Sequence, residues 1–174
     1  MKMQIPFKKF ALKTFPLAVA GMLLFTQPAA AILQKGEPAP PIKLVTTSGQ
    51  PITLNNYKGY VLVMDFFATW CIPCKESIPH LNSLKQKYGK QGLQVLGVSV
   101  DEGSDREVRS FISERRIGYP VAIAGEEMQA DYGLRSIPTV YVINKKGMVA
   151  DKFQGYSDQT ARAMEDTIKR LLAE

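Results

Sequence analysis

The chain has 174 residues, which fits one domain plus a short appendage. Its hydrophobic share of 45% and charged share of 22% are ordinary for a globular domain. The formal net charge of +6 owes most to Lys2, Lys8, Lys9 and Lys13; beyond residue 31 there are 18 basic and 16 acidic residues, so charge points to no nucleic-acid surface.

The first 31 residues read as a secretory signal. Four lysines form the n-region, and an apolar run from Phe15 to Phe25 follows, too short to span a bilayer comfortably. Ala29 and Ala31 then form an A-x-A pattern, which predicts cleavage before Ile32 and a globular domain over 32–174. An uncleaved N-terminal anchor is the rival reading. The stretch has no Arg, which excludes a twin-Arg signal, and no Cys directly follows the apolar run to carry a lipid.

Residues 32–41 are Pro-rich and read as extended. A hairpin is predicted next, from Ile42–Thr46 through a turn near Ser48-Gly49 to Pro51–Leu54. Val61–Phe67 is an apolar run interrupted only by Asp65, the pattern of a strand buried on both faces. Leu93–Val100 and Thr139–Ile143 repeat that pattern, and Met148–Phe153 is a weaker fourth run after a turn at Lys146-Gly147.

Helices are predicted between these strands. Ile78, Leu81, Leu84 and Tyr88 recur at helical spacing. Ser104 and Glu107 read as a capping box for a helix that buries Val108, Phe111 and Ile112. A C-terminal helix starts near Ser157 or Asp158 and buries Ala161, Met164, Ile168 and Leu171. Strands alternating with helices predict an α/β domain with a largely parallel sheet.

The chain's two cysteines, Cys71 and Cys74, lie two residues apart where a buried strand gives way to a helix. A disulfide closing so small a loop stabilises little, so the spacing suits redox chemistry better than stapling. The first backbone N–H groups of a helix are unpaired, and its dipole places partial positive charge there. Both favour a thiolate at Cys71, which would attack a substrate disulfide, leaving Cys74 to resolve the mixed disulfide. Asp65, six positions before Cys71, is expected to be buried with a raised pKa and to take the Cys74 proton; the alternative is a carboxylate in solvent or bonded to backbone. His80 reads as a surface helix residue, and Pro79 as a kink in its helix.

Trp70-Cys71-Ile72-Pro73-Cys74-Lys75, Asp65, Pro79 and Ile137-Pro138-Thr139 resemble the thioredoxin superfamily. Gly36-Glu37-Pro38-Ala39-Pro40, Val98-Ser99-Val100-Asp101, Tyr119-Pro120-Val121 and Tyr132-Gly133 extend the resemblance to the exported TlpA/ResA-like thiol–disulfide oxidoreductases, over nearly all of 36–174. The resemblance implies a thioredoxin-like fold with a mostly parallel central sheet flanked by helices and an N-terminal β-hairpin. It implies a cis Pro138 beside the thiols and a substrate segment held by Trp70, Ile72, Pro73, Ile137 and Pro138. It further implies exported protein thiols as substrates, apocytochrome c among them, a transmembrane thiol reductase as electron donor, a monomer, and no cofactor or metal. Two positions depart from the subfamily: Asp65 stands where ResA-like proteins more often carry Asn, and Ser77 where many carry Glu.

Two other functions compete. A peroxiredoxin-like peroxidase has a similar fold, but its Pro-x-x-x-Thr-x-x-Cys setting is missing around both cysteines. A copper or zinc carrier would have only Cys71, Cys74 and His80 as soft ligands, too few for a closed structural zinc site. The Ile72-Pro73 dipeptide does not set the reduction potential, which in related proteins spans about −270 to −120 mV.

Overall fold

A computed structural model describes residues 33–103 and 105–174. The expected secretory signal and the Ser104 half of the capping box lie outside the described residues.

The longest apolar runs become the central strands. β3 (Val61–Phe67) and β4 (Leu93–Ser99) pair in parallel, joined by the crossover helix α1 (Ile72–Tyr88). β5 (Val121–Ile123) adds to β4 in parallel after α2 (Asp105–Glu114). The short helix α3 (Glu126–Asp131) leads to β6 (Thr139–Ile143), which lies antiparallel on the other side of β3. β7 (Val149–Gln154) returns beside β6, and α4 (Asp158–Ala173) closes the chain. The sheet order is β5-β4-β3-β6-β7.

The expectation of a largely parallel sheet holds on the β5-β4-β3 side; the β3-β6-β7 side is antiparallel, so the sheet is mixed. Only five residues separate β6 from β7, too few for the crossover that parallel strands need. The Asn144–Gly147 turn closes this hairpin, with Gly147 at φ 84°. The hairpin of β1 (Lys43–Val45) and β2 (Pro51–Thr53) forms as predicted. Its neighbours place it across one sheet face: Pro38 bridges Met148 beside β7, and Thr46 bridges Ala122 in β5.

Side chains alternate along β3. Leu62, Met64 and Phe66 pack with Ile42, Tyr132 and Tyr141 under the N-terminal segment. Val61, Val63 and Phe67 pack with α1, α2 and α4, through Ile78, Leu81, Val108, Phe111, Met164 and Ile168 among others. Helices and the N-terminal segment thus cover both faces, which explains the unbroken apolar run. α4 buries Ala161, Met164, Ile168 and Leu171 as expected, and Ser157 caps it by accepting the Thr160 N–H at 3.2 Å. Pro79 sits inside α1, which continues to Tyr88. Among the described residues, no helix is long and apolar enough to cross a membrane.

Candidate active site

β3 ends at Phe67 and α1 begins at Ile72, so Cys71 and Cys74 occupy the first turn of a helix fed by a buried strand. Cys71 is the N-cap, and its Sγ accepts the Cys74 backbone N–H at 3.2 Å. Its carbonyl accepts the Lys75 N–H, and its own N–H donates to Ala68 O. Pro73 fits this first turn because its missing N–H would have no helical acceptor there. The two cysteines form a disulfide. Cys71 is 5% exposed and Cys74 is 0% exposed, so one sulfur borders solvent and the other lies beneath it.

Around this pair the surface is apolar. Trp70 and Ile72 are each 69% exposed, unusual for large apolar side chains, and Pro73 is exposed beside them. Register pairs Phe66 with Thr139, which brings the residues just before β6 to the same end of the sheet as the Cys71 loop. The Ile137–Pro138 peptide there is cis, Pro138 is buried, and Ile137 packs against the cluster that holds both cysteines.

Asp65 is fully buried on the face shared with α1. Neither carboxyl oxygen hydrogen-bonds to a protein atom, so the side chain neither faces bulk solvent nor bonds to backbone. Burial pushes its pKa up to about 7, because the charged form loses its hydration. Cys71 and Cys74 belong to the cluster that packs on this face.

Several residues of the site were given no role by the sequence. Asp101, just past β4, accepts the Thr69 backbone N–H at 3.1 and 3.0 Å, the Thr69 hydroxyl at 2.7 Å and the Ser99 hydroxyl at 2.7 Å. It thereby anchors the turn that carries Trp70 and Cys71. Its signals in the sequence were an acid directly after an apolar strand and its place in the Val98-Ser99-Val100-Asp101 stretch of the resemblance, and neither named its role. Tyr119 is buried with an unpartnered hydroxyl near Asp65. Ser77, where relatives were expected to carry Glu, donates its hydroxyl to Cys74 O at 2.9 Å and faces the interior. His80 is half-buried against the Tyr156 ring, with Nε2 buried and unpartnered. Among the described residues, no three His, Cys, Asp or Glu side chains cluster as a metal site would require.

These features have counterparts in known proteins. Residues 35–152 match the AhpC/TSA family. The thiol-disulfide oxidoreductase ResA of Bacillus thuringiensis subsp. konkukian (strain 97-27) is 31% identical over 140 residues, 80% of this chain and 79% of that protein. The thioredoxin-like protein YneN of Bacillus subtilis (strain 168) is 31% identical over 137 residues, 78% of this chain and 79% of its own length. A crystal structure from Chlorobium tepidum, described as a DsbE thiol:disulfide interchange protein, superposes with a TM-score of 0.76 at 30% identity, covering 80% of this chain and 99% of that one. With a thioredoxin-like fold and a Cys71–Cys74 disulfide at the head of α1, the chain belongs to the AhpC/TSA family and is a thiol–disulfide oxidoreductase related to ResA.

Proposed function

We propose that the chain works in an exported compartment as a reductant of protein disulfides, with Cys71 as attacking and Cys74 as resolving thiol. In the reduced protein, the Cys71 thiolate attacks one sulfur of a substrate disulfide and releases the other as a thiolate. Cys74 then attacks the Cys71 sulfur, its proton passing to the Asp65 carboxylate, and the second substrate thiolate leaves. Two electrons have moved to the substrate, and the chain is left with the Cys71–Cys74 disulfide. The observation that carries this assignment is the asymmetry of the pair. Cys71 caps the helix, borders solvent and accepts a helix N–H, whereas Cys74 is sealed beneath it.

Trp70, Ile72 and Pro73 form the surface on which an extended substrate segment lies, and the Ile137 backbone offers it hydrogen bonds beside Pro138. Substrates are exported proteins with paired cysteines, apocytochrome c thiols among them. A transmembrane thiol reductase returns the electrons. Residues 1–31 act as an export signal, cleaved before Ile32 or kept as an anchor, and the domain acts as a monomer.

Mixed-disulfide trapping tests the assignment. Cys74→Ser removes the resolving thiol and should accumulate partners linked to Cys71, seen as higher bands on non-reducing gels. Cys71→Ser should accumulate none; equal trapping by that variant would reverse the two roles.

A further inference from the structure

Asp65 shares its face of the sheet with a second orphaned polar group. Across the parallel β3–β4 pairing, Asp65 is in register with Gly97, so both positions point to the α1 face. Gly97 has no side chain, and three groups occupy the space a Cβ would need. The Val121 Cγ2, Phe67 Cε1 and Tyr119 Cε2 atoms lie 3.0, 3.2 and 3.2 Å from that position. The Gly97 N–H donates to Pro120 O at 2.9 Å, which ties the Tyr119-Pro120 backbone to the same spot. The Tyr119 ring therefore enters the sheet face beside Asp65 through the gap that Gly97 leaves.

Its hydroxyl is buried and hydrogen-bonds to no protein atom, and the same is true of both Asp65 oxygens. Buried polar groups seldom remain unpaired, because each unmade bond leaves a desolvation cost. The Asp65 charge acts on Tyr119: burial raises the phenol pKa, and the nearby carboxylate raises it further. Other titratable groups on this face, among the described residues, include Cys71, Cys74, Tyr88, whose hydroxyl already donates to Glu165, and Asp151, which is in register with Val142 and accepts from the Thr167 hydroxyl of α4. The buried hydroxyls of Ser77 and Ser99 there are already used, donating to Cys74 O and to the Asp101 carboxylate.

We infer that Tyr119 is a positioning residue for Asp65, its hydroxyl supplying the ionised carboxylate with a hydrogen bond across one bridging water. This rests on the reading of Asp65 as the base for Cys74. As the Cys74 sulfur attacks the Cys71 sulfur of the mixed disulfide, its proton goes to Asp65 and the substrate thiolate departs. The Tyr119 O–H keeps its own proton throughout and favours the carboxylate that must be present before the step. A hydrogen bond to a charged group is worth enough to lower a carboxyl pKa by about one unit.

Tyr119→Phe removes the hydroxyl and keeps the ring that fills the Gly97 gap. Stopped-flow measurement of mixed-disulfide resolution against pH should then show the midpoint moved up by about one pH unit, with resolution about tenfold slower well below it. A 13C titration of the Asp65 carboxyl in the oxidised protein should show the same upward shift without relying on turnover. Asp65→Asn should abolish this pH dependence, and adding Tyr119→Phe to it should change nothing further. A Tyr119→Phe midpoint equal to wild type in both measurements overturns the role of Tyr119 and leaves Asp65 as the base. An Asp65→Asn profile that matches wild type overturns both.

Discussion

Asp101 holds Thr69 by two groups at once, its carboxylate accepting both the backbone N–H and the hydroxyl of that residue, while Ser99 donates to the same carboxylate. Thr69 lies two residues before Cys71, so the clamp fixes the turn that sets Trp70 and Cys71 at the head of α1. Asp101→Ala would leave the buried Ser99 hydroxyl and the Thr69 N–H without their acceptor. Unfolding in urea should show a loss of about 1–3 kcal/mol in the oxidised protein. Reduction of a small disulfide should slow as well, since the attacking sulfur is less well placed. Asp101→Asn keeps one acceptor oxygen and should lose less on both counts.

Asp65 makes stability fall as pH rises. Its folded pKa of about 7 lies above its ordinary value of 3.8, so the folded protein binds the extra proton between those limits. Stability is full below about pH 4, declines toward pH 7 and is level above it, by an amount on the order of 4 kcal/mol. Glu165 acts in a different window. Hydrogen bonds from Lys87 and then Tyr88 lower its pKa to about 2, so its contribution is lost only as pH falls below about 4.5. Unfolding of Asp65→Asn measured from pH 4.5 to 8 should lose most of the slope. The variant should be the more stable protein above pH 7, and a slope equal to wild type would show that Asp65 ionises normally.

Trp70 and Ile72 offer a large exposed apolar surface beside Cys71. Trp70→Ala should raise KM for a protein disulfide about tenfold, the loss expected of one aromatic anchor. Reduction of a small-molecule disulfide should stay near wild type, because that substrate does not reach over the indole. Stability should change by less than about 0.5 kcal/mol, since the side chain packs on little of its own protein. Equal losses with both substrates would place Trp70 in the support of Cys71 rather than in substrate contact.

Much of the architecture was legible because it is local. Val61–Phe67 and Leu93–Ser99 are buried almost throughout on both faces and read as such, since burial on both faces leaves mostly apolar residues in a row. The apolar stripe of α4 repeats every three or four residues and marks the buried side directly. Cys71 and Cys74 stood out because their spacing and their place after a buried strand are both sequence properties. β5 was not assigned a strand, because three residues between Pro120 and Ala124 are too few to show a period. α3, six residues long, escaped for the same reason.

By itself, then, the sequence determined which segments are buried, where the redox pair sits and that an acid interrupts the strand leading to it. Only the tertiary structure decided which residues surround that pair. Strand direction on the β6–β7 side, the reach of Asp101 back over 32 residues to Thr69, and the entry of Tyr119 beside Asp65, 54 residues away, through the Gly97 gap depend on pairing between segments. Such pairing is set by register and by how side chains fill the space between layers, and neither leaves a periodic mark in the chain.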